Sequence, residues 1–152
     1  MERADGLQIN IEHNTSWSME ILPQNIVNAS FIPAFINEVY ITMIPGVEFR
    51  ETIKAAEQIR LIGKQAVPHI SARGFTGTGD LEKCLSGLQA SGIERALLIG
   101  GGHSKPAGNI NCVMDMLKTD LFAKYGINSF DFAGHPEGNP DDPNSEFNLL
   151  EK

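Results

Sequence analysis

The chain has 152 residues, 12 basic and 19 acidic, giving a formal charge of −7, and 41% of them are hydrophobic. That apolar fraction excludes a disordered acidic tail, and the negative charge argues against nonspecific nucleic-acid binding, which needs a basic footprint. No apolar run reaches the ~18 residues of a bilayer-spanning helix. The opening MERADGLQINIEHN lacks the basic-then-apolar layout of a signal peptide, and Cys84 and Cys112 form no CxxC pair. These features predict one cytoplasmic domain with no membrane or nucleic-acid partner, no metal site and no disulfide framework.

Five short apolar runs have the length of buried strands. The first is SMEIL (18–22), followed by a stretch that Pro23 and Pro33 interrupt. The second, VYITMI (39–44), precedes a helical segment over 47–62 that carries Ile53, Ala56, Ile59 and Arg60 before Gly63 stops it. The third is QAVPHI (65–70). After it, Leu81, Cys84, Leu85 and Leu88 fall at i, i+3, i+4 and i+7 and share one helix face, with Thr78 or Asp80 available as cap and Gly92 at the end. RALLIG (95–100) is the fourth run. Ile110, Val113, Met114, Leu117 and Leu121 repeat the apolar stripe behind it. SFDFAG (129–134) is the fifth and leads into the stiff loop GHPEGNPDDPN (134–144), after which FNLLEK reads as the first turns of another helix.

Successive runs start 21 to 34 residues apart, the size of a βα unit. Strands alternating with helices, without hairpin turns, predict a parallel α/β sheet. The runs lack clean polar alternation, which predicts a sheet covered on both faces. A doubly wound sheet and a (β/α)₈ barrel both fit. No GxGxxG follows the first strand, which weighs against a dinucleotide-binding Rossmann unit. A barrel takes about 250 residues. Five units therefore read either as a complete five-stranded sheet or as an open arc of something larger.

Function in parallel α/β proteins collects at the carboxyl ends of the strands. That rule selects Glu20, Thr42, His69, the run Gly100, Gly101 and Gly102 with His103, and the loop from His135 to Asn139. Glu20 lies between Met19 and Ile21. A carboxylate in such a partly dry setting can act as a general acid, although a paired or solvated strand-end acid fits the same pattern. His69, behind Pro68, fits either a ligand contact or a hydrogen-bonded structural residue. Thr42 alone is uninformative, because threonine is a common strand residue. The three glycines would let backbone N–H groups approach a phosphate or a ring, or would simply turn the chain.

Taken in order, these runs resemble the methylenetetrahydrofolate reductase family. FAGHPEGNPDD resembles its A-x-P-E-x-H-P signature, SMEILP its S-x-E-x-x-P, VYIT its V-x-V-T, VPHISARG its P-H-L-T-C, and GIERALLIGGG its G-I-x-x-x-L-A-L-R-G-D. The likeness spans nearly all of residues 16–152. It implies a partial (β/α)₈ barrel of roughly the first five βα units. It also implies FAD at the strand ends, NADH or NADPH as reductant, and reduction of 5,10-methylenetetrahydrofolate to 5-methyltetrahydrofolate in one-carbon metabolism. Glu20 matches the family's acid, and Thr42 and His69 match its flavin contacts. Gly100, Gly101 and Gly102 stand where the family has R-G-D, His135 where it has tyrosine, and Asn139 where it has the histidine of E-x-H-P. Loss of the R-G-D aspartate bears on flavin affinity and substrate choice. A folate- or pterin-binding protein, or a methyl-transfer enzyme on the same barrel, is the alternative. The whole chain then reads as one incomplete barrel domain, a truncated or partial product. With two open edges it is expected to aggregate or homo-oligomerise, and to bind FAD poorly alone.

Overall fold

A computed structural model describes residues 17–102 and 105–133. Five strands form one sheet in the order β1-β2-β3-β4-β5, every neighbouring pair parallel: β1 Trp17–Ile21, β2 Ile36–Ile41, β3 Gln65–Ser71, β4 Arg95–Ile99 and β5 Ser129–Phe132. The five apolar runs are therefore strands, each within three residues of its expected start.

The strand order never reverses. Doubly wound sheets do reverse, at the switch point where their ligands bind. Parallel crossovers are almost always right-handed, so an order that follows the chain sends successive helices to the same side. The buried core agrees. It unites Val39, Ile41, Ala66, Ile70, Ala96 and Leu98 of the strands with residues of the helices that follow them. None of the strand residues on the opposite face, from Tyr40 to Asp131, belongs to that core. Among the described residues the helices pack against the face of that core, while Val67, His69 and Ser71 are buried on the other. The other face alternates with period two, through Glu38 and Tyr40 on β2, His69 and Ser71 on β3, Arg95 on β4 and Asp131 on β5. The sequence reading missed this because Val67, Leu97 and Ile99 interleave with the polar residues.

The helix α1, Phe49–Leu61, buries Thr52, Ala55, Ala56 and Ile59, while Arg60 is exposed and donates to the Ser91 carbonyl oxygen. The helix α2, Thr78–Ala90, buries Leu81, Cys84, Leu85 and Leu88, the four residues of the predicted stripe. Burying each leucine contributes about 1.5–3 kcal/mol. Neither Thr78 nor Asp80 caps α2. Its N-cap is Gly77, without a side-chain cap, and Asp80 instead accepts from Thr76 Oγ1 at 3.0 Å. Gly92 ends α2 as expected. It sits at φ 67, its N–H reaches the Gln89 carbonyl at 2.8 Å, and the Ile93 N–H reaches Leu88 at 2.9 Å, a Schellman close.

The first connection is a 3₁₀ helix, Pro23–Phe31, with Pro23 at its start and Pro33 beyond its end. The stripe expected behind β4 is broken into α3, Val113–Leu117, and α4, Leu121–Lys124. Asp120 breaks it in the left-handed conformation, at φ 56. The break turns Met116 and Phe122 into the core in place of Met114 and Leu121. Cys84 and Cys112 are both free thiols.

Candidate functional site

Parallel pairing lines up the carboxyl ends of β1, β2 and β3. Glu20 is the register partner of Tyr40, and the Thr42 N–H continues the ladder to the Ile21 carbonyl at 3.0 Å. Thr42 thus stands one pleat beyond Tyr40, on the same face as Glu20, and its hydroxyl donates to Glu20 Oε1 at 2.9 Å. His69 projects from β3 onto this face, opposite Leu97 of β4. Its ring meets the Tyr40 ring edge-on at 6.3 Å between centroids. Burial holds the imidazole below its ordinary pKa, and the Glu20 carboxylate pulls weakly the other way. Glu20, Thr42 and His69 therefore converge on one mouth.

Two features differ from the sequence expectation. Glu20 is exposed rather than half-dry, because β1 is the edge strand and has only β2 beside it among the described residues. Among the described residues, His69 lacks the hydrogen bond that a structural histidine would make through Nε2; this atom and Ser71 Oγ, two residues further along β3, are buried with no partner there. A buried polar atom without a partner costs about 1–3 kcal/mol, so such atoms mark a site or a strain.

The glycine run closes the same rim. The Arg73 N–H donates to the Gly100 carbonyl at 3.0 Å, which ties the end of β4 to the end of β3. Gly101 has φ +96, and a Cβ built on it would lie 1.9 Å from Ser71 Oγ. Only glycine fits there. Gly102 approaches Pro45 of the loop after β2, with 4.0 Å from its built Cβ position to the ring. A cleft of about 300 Å³ opens between these loops, lined by Met43, Val47, Glu48, Ser71, Gly74 and Ala107 among others. It lies beside the Glu20–Thr42–His69 cluster and shares none of those three residues. His103, His135 and Asn139 lie outside the described residues. No group of three metal-ligating side chains occurs among the described residues. No described helix is long and apolar enough to cross a membrane.

Below the mouth, the polar face carries a second cluster that the sequence reading did not single out. Arg95 donates from Nε and Nη2 to Asp131, at 3.1 Å to Oδ2 and 3.0 Å to Oδ1. Its Nη1 donates to Glu38 Oε1 at 2.7 Å. Tyr40 donates its hydroxyl to Asp131 Oδ2 at 2.8 Å. Arg95 keeps only 23% of its side chain exposed, and the hydrogen bond to Asp131 drives its pKa further up against the opposing effect of burial. Burial and the bond to Asp131 push the Tyr40 phenol up to about 12, so it stays neutral and donating. The available signal was the period-two spacing of Glu38, Tyr40 and Thr42 in INEVYIT.

No protein-family model matches the chain.

Proposed function

We propose that the five parallel strands are an arc of a (β/α)₈ barrel whose mouth works as a flavin-dependent reductase of 5,10-methylenetetrahydrofolate. One observation carries the proposal: an acid, a threonine and a histidine meet at the carboxyl ends of three adjacent strands, in the order and spacing of the resembled family. A strand order without reversal and helices on one face support the barrel reading.

The residues fit a flat, hydrogen-bonding ring. His69 Nε2 is a buried polar atom with no partner among the described residues, Thr42 stands on the same face at the end of the neighbouring strand, and Gly100 to Gly102 bring bare backbone to the same rim. These residues would hold FAD; when bound, it supplies hydride transfer after reduction by NADH or NADPH. The chain's own share is positional and acid–base. Glu20, fixed by Thr42 Oγ1 and open to solvent, would pass a proton taken from water to a bridge nitrogen of the folate as the bridge C–N bond breaks and leaves an electrophilic iminium carbon. His69 orients the ring as a neutral imidazole. With FAD added in excess, the protein should show a flavin absorbance that NAD(P)H bleaches and methylenetetrahydrofolate restores. Glu20→Gln should slow the folate half-reaction by several powers of ten while NAD(P)H oxidation by an artificial acceptor continues. Equal loss of both half-reactions would show that Glu20 has another role.

The second reading, a folate- or pterin-binding protein or a methyl-transfer enzyme, is favoured by Gly100 to Gly102. With glycine at all three positions, no carboxylate or guanidinium stands after β4 to tune a flavin. Thermal shifts with a panel of folate species separate the two, because a ligand that binds only the folded state raises its stability.

A further inference from the structure

We propose that Tyr40, tethered by Asp131 and Arg95, is a positioning residue that fixes the ring of His69 at the mouth of the sheet. The inference rests on the proposed role of His69 and names the device that holds it.

The geometry runs across four strands. Asp131 on β5 accepts from the Tyr40 hydroxyl at 2.8 Å and from two Arg95 nitrogens at 3.0 and 3.1 Å. Arg95 on β4 is held in turn by Glu38 on β2 at 2.7 Å. Arg95 Nη2 also lies 3.3 Å from the Tyr40 oxygen, so the phenol is gripped at its polar end by two partners. Its ring then lies against His69 with planes 67° apart, an edge-to-face contact of preferred geometry. His69 has no hydrogen-bond partner for Nε2 among the described residues. Among the described residues, the groups facing the imidazole are Glu20 from β1, Tyr40 and Thr42 from β2 and its end, and the apolar Leu97 from β4. Packing against Tyr40 is therefore what orients the ring, and the ion cluster is what orients Tyr40. The guanidinium and both carboxylates are about three-quarters buried, so the tether is shielded from solvent.

The test reads His69 directly, in ligand-free protein, by NMR of its ring nitrogens across a pH titration, with His69→Gln to assign the signals. Wild type should show one sharp tautomer titrating below the ordinary histidine value. Tyr40→Leu removes the ring, admits water, and should raise the titration midpoint by about half a pH unit or more. Tyr40→Phe and Asp131→Asn keep a ring but cut the tether, and should broaden the His69 signals or mix the tautomers. An unchanged His69 midpoint and tautomer in folded Tyr40→Leu overturns the proposal, whatever happens to its melting temperature. If Tyr40→Leu does not fold, Tyr40→Phe and Asp131→Asn decide, and wild-type His69 spectra in both overturn it. No flavin enters this measurement. Added FAD that NAD(P)H never reduces in the presence of the protein sinks the reductase reading, and the His69 spectra still answer the positioning question.

Discussion

Adding a methyl group at Gly101 probes the meeting of β3 and β4 at the mouth. Gly101→Ala carries two separable penalties. A φ of +96 strains any L-residue, by roughly 1–2 kcal/mol. The new Cβ would also sit 1.9 Å from Ser71 Oγ and 3.2 Å from Ser71 Cβ. Relieving that overlap moves a buried side chain or the backbone, at about 1–3 kcal/mol. The sum is about 2–5 kcal/mol, or roughly 5–15 °C of melting temperature for a chain of this size. Ser71→Ala behaves differently. Its hydroxyl is buried with no partner, so deletion should be neutral or stabilising by up to about 1 kcal/mol. In the double variant the oxygen is gone, and only the backbone strain with a tight methyl contact remains. Urea unfolding of the four proteins in the cycle should therefore give a favourable coupling of about 1–3 kcal/mol. The reasoning fails if Ser71→Ala alone costs more than about 1 kcal/mol, which would mean the hydroxyl is partnered. It fails equally if the double variant is no more stable than Gly101→Ala.

Other perturbations have equally definite outcomes. Arg95→Met leaves Glu38 and Asp131 mostly buried without their cation, and should cost about 2–4 kcal/mol by denaturant unfolding; adding Asp131→Asn should recover part of it. Leu85→Ala, at a fully buried position between α2 and the sheet, should cost about 2–5 kcal/mol, whereas Leu61→Ala at an exposed position should stay within about 0.5 kcal/mol. Burial pushes the Cys84 thiol up to about 12, so in the folded protein a thiol reagent near neutral pH should label the half-buried Cys112 and spare Cys84 until denaturant is added. His69 is depressed by burial, so the unfolded chain binds its proton more readily than the folded one. Its contribution to stability is complete above its ordinary value of 6.5 and drains away as pH falls below that toward the folded value. His69→Gln should flatten that part of the stability–pH profile, and an unchanged slope would refute the assignment.

Much of this architecture is written locally. The α2 stripe is legible because four buried residues at helical spacing are followed by a glycine that accepts the left-handed turn, and nothing tertiary overrides them. The five strands are legible for a similar reason: each is a short apolar run of strand length, and β2, β3 and β4 are rich in branched residues. Asp120 is not legible. An aspartate in a left-handed turn breaks a helix that the pattern of Leu117 and Leu121 would continue, and the decision is made by where Met116 and Phe122 find a core. The mouth is half legible. Glu20, Thr42 and His69 stand at strand ends, and parallel pairing alone brings them together. Tyr40, Arg95 and Asp131 lie 36 to 91 residues apart in pairs, and only the register of three strands makes them neighbours. Ser71 is invisible in sequence, since only the fold brings Gly101 up against its hydroxyl.

Because the sheet is assembled in chain order, its substantial contacts join each module to the next: β1 with β2, α1 with β2 and β3, α1 with α2, β4 with β5. Such wiring resembles a linear array, in which stability is a sum of module and nearest-neighbour contributions. Loosening should then travel inward from the ends. Amides of β1 and β5 would exchange with deuterium first and those of β3 last, so the rim histidine is mounted on the most persistent part of the molecule while its acid partner rides on the part that breathes most.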